Sequence, residues 1–188
     1  MGPAGLRVKL LGGMDLRLGE QPLPALDSVR VESLLAYLLL HREAPQLRQR
    51  VAFLLWPEST EAQARTNLRK VLYGLRRALP QADRFIEVGP RTLQWRADAS
   101  LWLDVEEFER ALADGRLEDA VEAYGGGLLE GSYDDWLVEE RERLARLTSG
   151  RSTGSRAGTS GRSAGRRRSV ARSGWSRAIR CVRRATGC

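Results

Sequence analysis

The stretch from Thr60 to Leu79 constrains this chain more than any other. Thr60-Glu61-Ala62-Gln63 has the T-x-x-Q spacing of a capping box, in which hydroxyl and amide side chains answer N–H groups left open at a helix start. Pro80 forbids continuation at the other end. At 100° per residue, Ala64, Leu68, Val71, Leu72, Leu75 and Leu79 share one sector, so the helix has one face to bury. The opposite sector holds Thr66, Lys70, Tyr73 and Arg77, flanked by Arg69 and Arg76. Between Arg65 and Arg77 there are five cations and no acid. A merely solvated face usually mixes both signs to gain i,i+4 pairs, and this one does not. The plain alternative is a solvated Arg-rich face in a chain that uses Arg far more than Lys. The one-signed face favours a recognition helix that carries polar and cationic side chains into a DNA major groove.

The flanking sequence supplies a setting for such a helix. Leu6, Val8 and Leu10 alternate with polar residues, as a half-buried strand requires. Gly12-Gly13 allows a tight turn, and Met14, Leu16 and Leu18 alternate again; a third extended piece spans Pro22 to Leu26. From Ser28 the period becomes helical through Val31, Leu34, Leu35, Leu38 and Leu39, ending near His41-Arg42 before Pro45. A second helix fits Arg48 to Trp56, with Val51, Leu54 and Leu55 inward; Arg48 and Arg50 near its start are candidate DNA-backbone contacts. After Pro80, Phe85–Val88 and Thr92–Trp95 flank Gly89-Pro90-Arg91, which predicts a hairpin with Arg91 at its tip. A cationic helix followed directly by a hairpin is the order of a winged helix. The expected class is α+β: a winged helix-turn-helix with an N-terminal antiparallel sheet and a C-terminal wing.

Charge divides the chain into three. Residues 1–97 hold 15 basic and 9 acidic side chains, a net of +6; residues 98–147 hold 5 and 15, a net of −10; residues 148–188 hold 11 Arg and no acid. Such asymmetry points to a polyanionic partner. The acidic part reads as helical. Val105, Phe108 and Leu112, then Leu117, Ala120, Val121 and Tyr124, give two short helices around Asp114-Gly115. Gly125 to Gly131 is a loop, and Trp136, Leu137, Arg141 and Leu144 belong to a further helix. Paired helices with small inward residues resemble helical-repeat (TPR-like) units.

Catalysis is poorly provided for. The single histidine, His41, falls at a helix end beside exposed carbonyls, where a structural role suits it. Phosphate-loop, G-x-S-x-G and H-E-x-x-H patterns are absent, and so are metal-ligand spacings of Cys and His. The expectation is no enzyme, no cofactor and no metal. The longest apolar run, Leu34 to Leu40, is seven residues, far short of the roughly 18–20 of a membrane span. No charged leader with an apolar stretch opens the chain, and both cysteines, Cys181 and Cys188, lie in the basic tail. A cytoplasmic, nucleoid-associated location is expected, with no membrane contact.

Several of these segments together resemble one family. Leu34-Leu35-Ala36-Tyr37-Leu38-Leu39-Leu40-His41-Arg42, Leu54-Leu55-Trp56-Pro57, Ala64-Arg65-Thr66-Asn67-Leu68-Arg69-Lys70-Val71-Leu72 and Leu75-Arg76-Arg77-Ala78-Leu79 look like the SARP-type bacterial transcriptional activators, whose N-terminal domain is an OmpR-like winged helix. Asp104-Val105-Glu106-Glu107-Phe108 resembles the opening of the bacterial transcriptional activation domain that follows it. So do Tyr124 to Gly131, Trp136 and Glu140-Arg141-Glu142-Arg143-Leu144. The match covers roughly residues 6–147 and departs at the wing, where Gly89-Pro90-Arg91-Thr92 stands in place of a Gly-Tyr-x-Leu-like turn. The resemblance implies binding to promoter direct repeats by protomers set head to tail, recruitment of RNA polymerase, and DNA contact on the exposed face of the helix from Glu61 to Leu79. No receiver domain precedes the winged helix in this sequence and no ATPase motif follows it.

The expected organisation is a winged-helix domain over 1–97, a partial all-α activation domain over 98–147, and a disordered Arg/Ser/Gly-rich tail over 148–188. In that tail 30 of 41 residues are Arg, Ser, Gly or Thr, too polar to bury a core. One reading is a basic arm that adds phosphate affinity. Another is a GC-rich gene read out of frame, favoured by the abrupt switch inside a helical domain. The leading functional reading is a sequence-specific DNA-binding activator. Arg48, Arg50, Arg65, Arg69, Lys70, Arg76, Arg77 and Arg91 would supply phosphate contacts, and Thr66, Lys70 and Tyr73 base contacts. The alternative is a helical protein–protein interaction module without specific DNA binding.

Overall fold

The computed structural model describes residues 5–149, which contain seven strands and six α-helices in two compact units. In chain order these are β1 (Leu6–Lys9), β2 (Asp15–Leu18), β3 (Gln21–Pro22), α1 (Val29–Leu40), β4 (Gln46–Leu47), α2 (Arg48–Leu55), α3 (Glu61–Ala78), β5 (Ile86–Val88), β6 (Thr92–Trp95), β7 (Leu101–Leu103), α4 (Asp104–Asp114), α5 (Leu117–Ala123) and α6 (Trp136–Ser149). Among the described residues the first unit takes 5–8 with Met14–Trp102, and the second takes Lys9–Gly13 with 103–149. The division falls after Trp102 rather than after Ala97. The peptide N–H of Leu6 donates to Ser100 O at 2.9 Å and β7 pairs beside β1, so residues 98–102 complete the first unit.

That first unit is mixed α/β and compatible with a winged-helix-like domain: three mutually packed helices and two small sheets. The four-stranded sheet has the order β3-β2-β1-β7, and β2 and β3 run antiparallel with Arg17 opposite Pro22. Two expected strands are shorter than alternation suggested. β1 ends at Lys9 although Leu10 is buried, and β3 covers only Gln21–Pro22 of the extended piece expected from Pro22 to Leu26, with Leu23 N still donating to Leu16 O at 2.8 Å. Helix α1 starts where the Ser28 hydroxyl accepts from Arg30 N at 3.1 Å, and it buries Val31, Leu34, Leu35, Leu38 and Leu39. His41 closes it as C-cap, its N–H on Tyr37 O and its ring edge-on to Tyr37 at 4.3 Å.

Helix α3 packs on both α1 and α2. Ala64, Leu68, Leu72, Leu75 and Leu79 are buried, each leucine worth about 1.5–3 kcal/mol when removed from water. Val71 is half-buried instead, and in α2 the inward positions are Val51, Ala52 and Leu55, with Leu54 half-exposed. Both residues lie at the edge of their sector, where a small neighbour can take the inward place. The capping box forms in one half only. Thr60 Oγ1 accepts from Gln63 N at 3.3 Å, but the Gln63 side chain turns along the helix to Asn67.

The expected hairpin is β5–β6, antiparallel with Ile86 opposite Trp95 and Val88 opposite Leu93. A third strand, β4, adds to it through Gln46 opposite Leu93 and Leu47 opposite Thr92. Two residues carry no readable period, so β4 left no signal in the sequence. Gln46 earns its place by its amide as well: Nε2 donates to His41 O and Ala44 O while Oε1 accepts from the Tyr37 hydroxyl.

In the second unit α4 packs against α5 and α6. Gly115, at φ 76°, ends α4 in the left-handed conformation that glycine adopts without a Cβ clash, and Arg116 N reaches back to Ala111 O. Val105, Phe108, Leu112 and Ala120 are buried, with the Phe108 and Tyr124 rings 5.4 Å apart; Val121, expected inward, is exposed. One turn of α5 beside α4 needs only Ala120 at the contact, which leaves Val121 on the outer side. Asp104 opens α4 and is buried. Its carboxylate accepts from Leu10 N, Leu11 N and Val105 N at 2.8–2.9 Å.

Arg141 in α6 spans the loop before it. Its guanidinium donates to Leu128 O, Leu129 O and Ser132 O at 2.7–2.9 Å, fixing a loop in which Leu129 holds φ 45°. Arg141→Ala is expected to destabilise the protein by about 2–3 kcal/mol, because charged donors are withdrawn from three carbonyls; urea unfolding followed by circular dichroism measures it. The helix also crosses the boundary expected after Leu147. It runs to Ser149, with Thr148 buried and its hydroxyl on Ala145 O at 2.7 Å. The remainder of the Arg/Ser/Gly-rich tail, including Cys181 and Cys188, lies outside the described residues.

Candidate nucleic-acid interface

The cationic face of α3 is exposed along its length: Arg65, Thr66, Arg69, Lys70, Tyr73, Arg76 and Arg77 all face solvent. Tyr73 is 66% exposed, which is unusual for an aromatic on a helix that buries four side chains on its other side. The five cations are not equivalent. Arg65 pairs with Glu61 and Arg76 with Asp83 at 3.0 Å, each acid lying just outside the one-signed window read from the sequence. Exposed pairs of this kind contribute little, about 0–1 kcal/mol, and a polyanion can displace them. Lys70, Arg77, Arg50 and Arg91 have no acidic partner among the described residues.

The start of α2 and the hairpin tip are tied together. Arg48 N donates to Arg91 O at 2.9 Å, and the Arg48 guanidinium donates to Gly89 O at 3.1 Å. Arg48 is therefore half-buried and braces the wing, a role that its expected backbone contact did not include. Gly89 N donates to Thr92 O at 2.9 Å and closes the turn, leaving Pro90 and Arg91 exposed at the tip.

This bracing brings four of the expected residues together. Arg48, Arg65, Arg69 and Arg91 line one open groove of about 510 Å3, together with apolar Leu47, Leu68 and Pro90. Four guanidiniums from three elements around one concavity create a strongly positive potential suited to a phosphodiester, which Arg can grip with two parallel donors. Arg50, Thr66, Lys70, Tyr73, Arg76 and Arg77 lie outside this groove. Thr66 has turned its hydroxyl to Ala62 O at 2.9 Å, so it offers a neighbouring molecule its methyl and its oxygen lone pairs but no proton. A second groove, near Arg84 and Arg96, differs because two acids, Asp83 and Asp98, line it beside its cations. Arg84 donates to Gln81 Oε1 at 2.7 Å, and Arg96 pairs with Asp98 at 3.2 Å, a contact that holds the Asp98 carboxyl below the usual carboxylate range.

Sequence reasoning missed three polar residues beside this face. Gln49, at the groove, donates to Glu61 at 2.9 Å, and Gln63 donates to Asn67 at 2.8 Å on α3. Their i,i+4 spacing was readable for Gln63 and Asn67, but uncharged amides were overshadowed by the cations. Among the described residues no group of three or more His, Cys, Asp or Glu is placed to hold a metal ion, and no helix is long and apolar enough to cross a membrane.

No protein-family model and no curated protein matches this chain. Its fold does have a solved counterpart. It is similar to Mycobacterium tuberculosis EmbR, in a structure solved in complex with a low-affinity phosphopeptide, with a TM-score of 0.52 and 20% sequence identity over 79% of this chain. The matched region is 47% of the EmbR chain, so this chain spans about half the length of that protein. At this identity the likeness concerns fold alone.

Proposed function

We propose that this chain is a sequence-specific DNA-binding transcriptional regulator of the SARP type, acting as an activator. The observation that carries the reading is the convergence of Arg48, Arg65, Arg69 and Arg91 on one groove beside an exposed, one-signed α3 face. In this reading α3 enters the major groove, the arginine groove takes the adjacent phosphodiester backbone, and Arg50 and Arg77 reach further phosphates. Lys70, Tyr73 and Thr66 face base edges. The motif resemblance adds direct repeats in the promoter, bound by two protomers head to tail, and RNA polymerase as the partner to be recruited. EmbR is a SARP-family regulator, which agrees in kind with that resemblance. The helical unit, TPR-like in the pairing of α4 with α5, is the candidate activation module. The reading needs no catalysis and no cofactor, and it places the protein in the cytoplasm at the nucleoid.

Gel-shift titration of the full chain against its own upstream promoter region tests this, with excess unrelated duplex present to absorb sequence-independent binding. The expected result is retained preference for the promoter and an affinity that falls linearly with log salt. Four or more neutralised phosphates give a log–log slope of about −3.6 or steeper. Equal affinity for every duplex would favour the interaction-module alternative and sink the activator reading.

A further inference from the structure

The exposed side of α3 divides into two flanks of different chemistry. Arg65 and Arg69 lie towards the arginine groove. On the other flank, Gln63 and Asn67 stand one turn apart with Gln63 Nε2 on Asn67 Oδ1 at 2.8 Å. Gln63 is exposed and Asn67 half-exposed. The glutamine of a capping box would normally fold back to the N-cap; here it runs forward along the helix, and the Thr60 hydroxyl alone answers Gln63 N. The amide is therefore pre-set by a side-chain partner, which removes much of the rotamer entropy that an exposed glutamine would lose on binding.

The polar atoms left over have a definite pattern. With one Gln63 N–H used on Asn67, Gln63 Oε1 remains an acceptor, and Asn67 Nδ2 and the second Gln63 N–H remain donors. One acceptor beside one donor matches the major-groove edge of adenine, which offers the N6 amine as donor and N7 as acceptor. Guanine offers two acceptors there, O6 and N7, so Gln63 Oε1 would face O6 without a proton between them. The neighbouring Thr66 turns its own proton inward and keeps a methyl outward, a surface compatible with the thymine C5-methyl group.

We propose that Gln63 is a specificity-determining residue that reads an adenine in the major groove, and that Asn67 positions its amide. The proposal rests on the DNA-binding reading of α3 given above. It separates two tasks on one helix: the arginine flank supplies affinity that depends on salt and not on sequence, and the amide flank supplies base choice.

The test uses the full chain and its Gln63→Ala, Gln63→Glu and Asn67→Ala variants, each taken through selection from a randomised duplex pool and then gel-shift titration. Gln63→Ala is expected to lose preference at one A·T position, weakening that selected site about 5- to 150-fold, with affinity for unrelated duplex and the salt slope unchanged. Gln63→Glu should move the preference at that position towards cytosine, whose N4 amine donates to a carboxylate. Asn67→Ala should give a smaller loss at the same position. Replacing the selected adenine by 7-deazaadenine should cost the wild type affinity and leave Gln63→Ala unaffected. An unchanged base profile for Gln63→Ala, in a wild type that does select a sequence, overturns the proposal while leaving the DNA-binding reading intact. Failure of the wild type to select any sequence overturns both, and it is distinguishable because it precedes the variants.

Discussion

Asp104→Ala is expected to lower the unfolding free energy by about 2–4 kcal/mol, since each buried N–H left without an acceptor costs about 1–3 kcal/mol. The Leu10 and Leu11 N–H groups both end on this carboxylate, and Asp104 is 2% exposed, so water does not readily replace it. Asp104→Asn retains one acceptor oxygen and should lose less. The two variants also differ in their response to pH. Burial pushes the Asp104 carboxyl above the usual carboxylate range, against the pull of the Leu11, Leu10 and Val105 N–H groups and of Lys9. The folded protein therefore holds this proton to higher pH than the unfolded chain does. The stability that comes with the shift is fully present below the usual carboxylate range and is lost as pH rises through the folded value. Denaturant titrations across the acidic range should show that decline in the wild type and not in Asp104→Asn. Identical pH profiles for the two proteins would remove Asp104 as its source.

The second large effect concerns DNA. Arg69→Ala combined with Arg91→Ala is expected to weaken binding to every duplex about 10- to 100-fold near physiological salt, as loss of two charge-assisted contacts would. Each lost phosphate contact should also flatten the log–log salt slope by about 0.9. Neither residue supports the core: both are exposed, and the Arg91 carbonyl that receives Arg48 N survives the substitution. Arg48→Ala makes a poorer probe, because it would release Gly89 O and loosen the wing as well. A double variant whose salt slope matched the wild type would show that the arginine groove is not where backbone phosphate sits.

The elements that were legible in the sequence are those whose pattern is local and long. Helix α3 declared itself through Thr60, the leucine spacing and Pro80, and the β5–β6 hairpin through Gly89-Pro90. Strands β4 and β7 were illegible because two or three residues have no period; their existence depends on partners elsewhere in the chain. Sector edges misled at Leu54, Val71 and Val121, where the packing of a neighbouring helix decides which of two apolar residues turns inward. At the candidate interface, the wheel identified the exposed cations correctly as a set but could not tell them apart. That Arg48 braces the wing, that Arg65 and Arg76 meet acids beyond the one-signed window, and that Arg91 stands near Arg69 are facts of tertiary geometry. Asp104 was the least legible. An acid at a helix start is ordinary, and its partners stand 93 and 94 residues away.

That separation has a consequence for synthesis. The Lys9–Gly13 segment of the second unit leaves the ribosome well before its acceptor, Asp104, which is added 94 residues after Leu10. At about 5–20 residues per second the wait is roughly 5–20 s, long compared with the formation of a helix or a hairpin. During that interval Leu10 and Leu11 must keep their peptide groups hydrated. The first unit, by contrast, has all its strands once β7 arrives with Leu101–Leu103, before α4 is added. A nascent chain stalled before Asp104 should therefore be open to proteases around Gly12-Gly13 and become resistant once α4 has emerged, and a transplanted second unit beginning at Leu103 would need its five-residue segment Lys9–Gly13 carried with it.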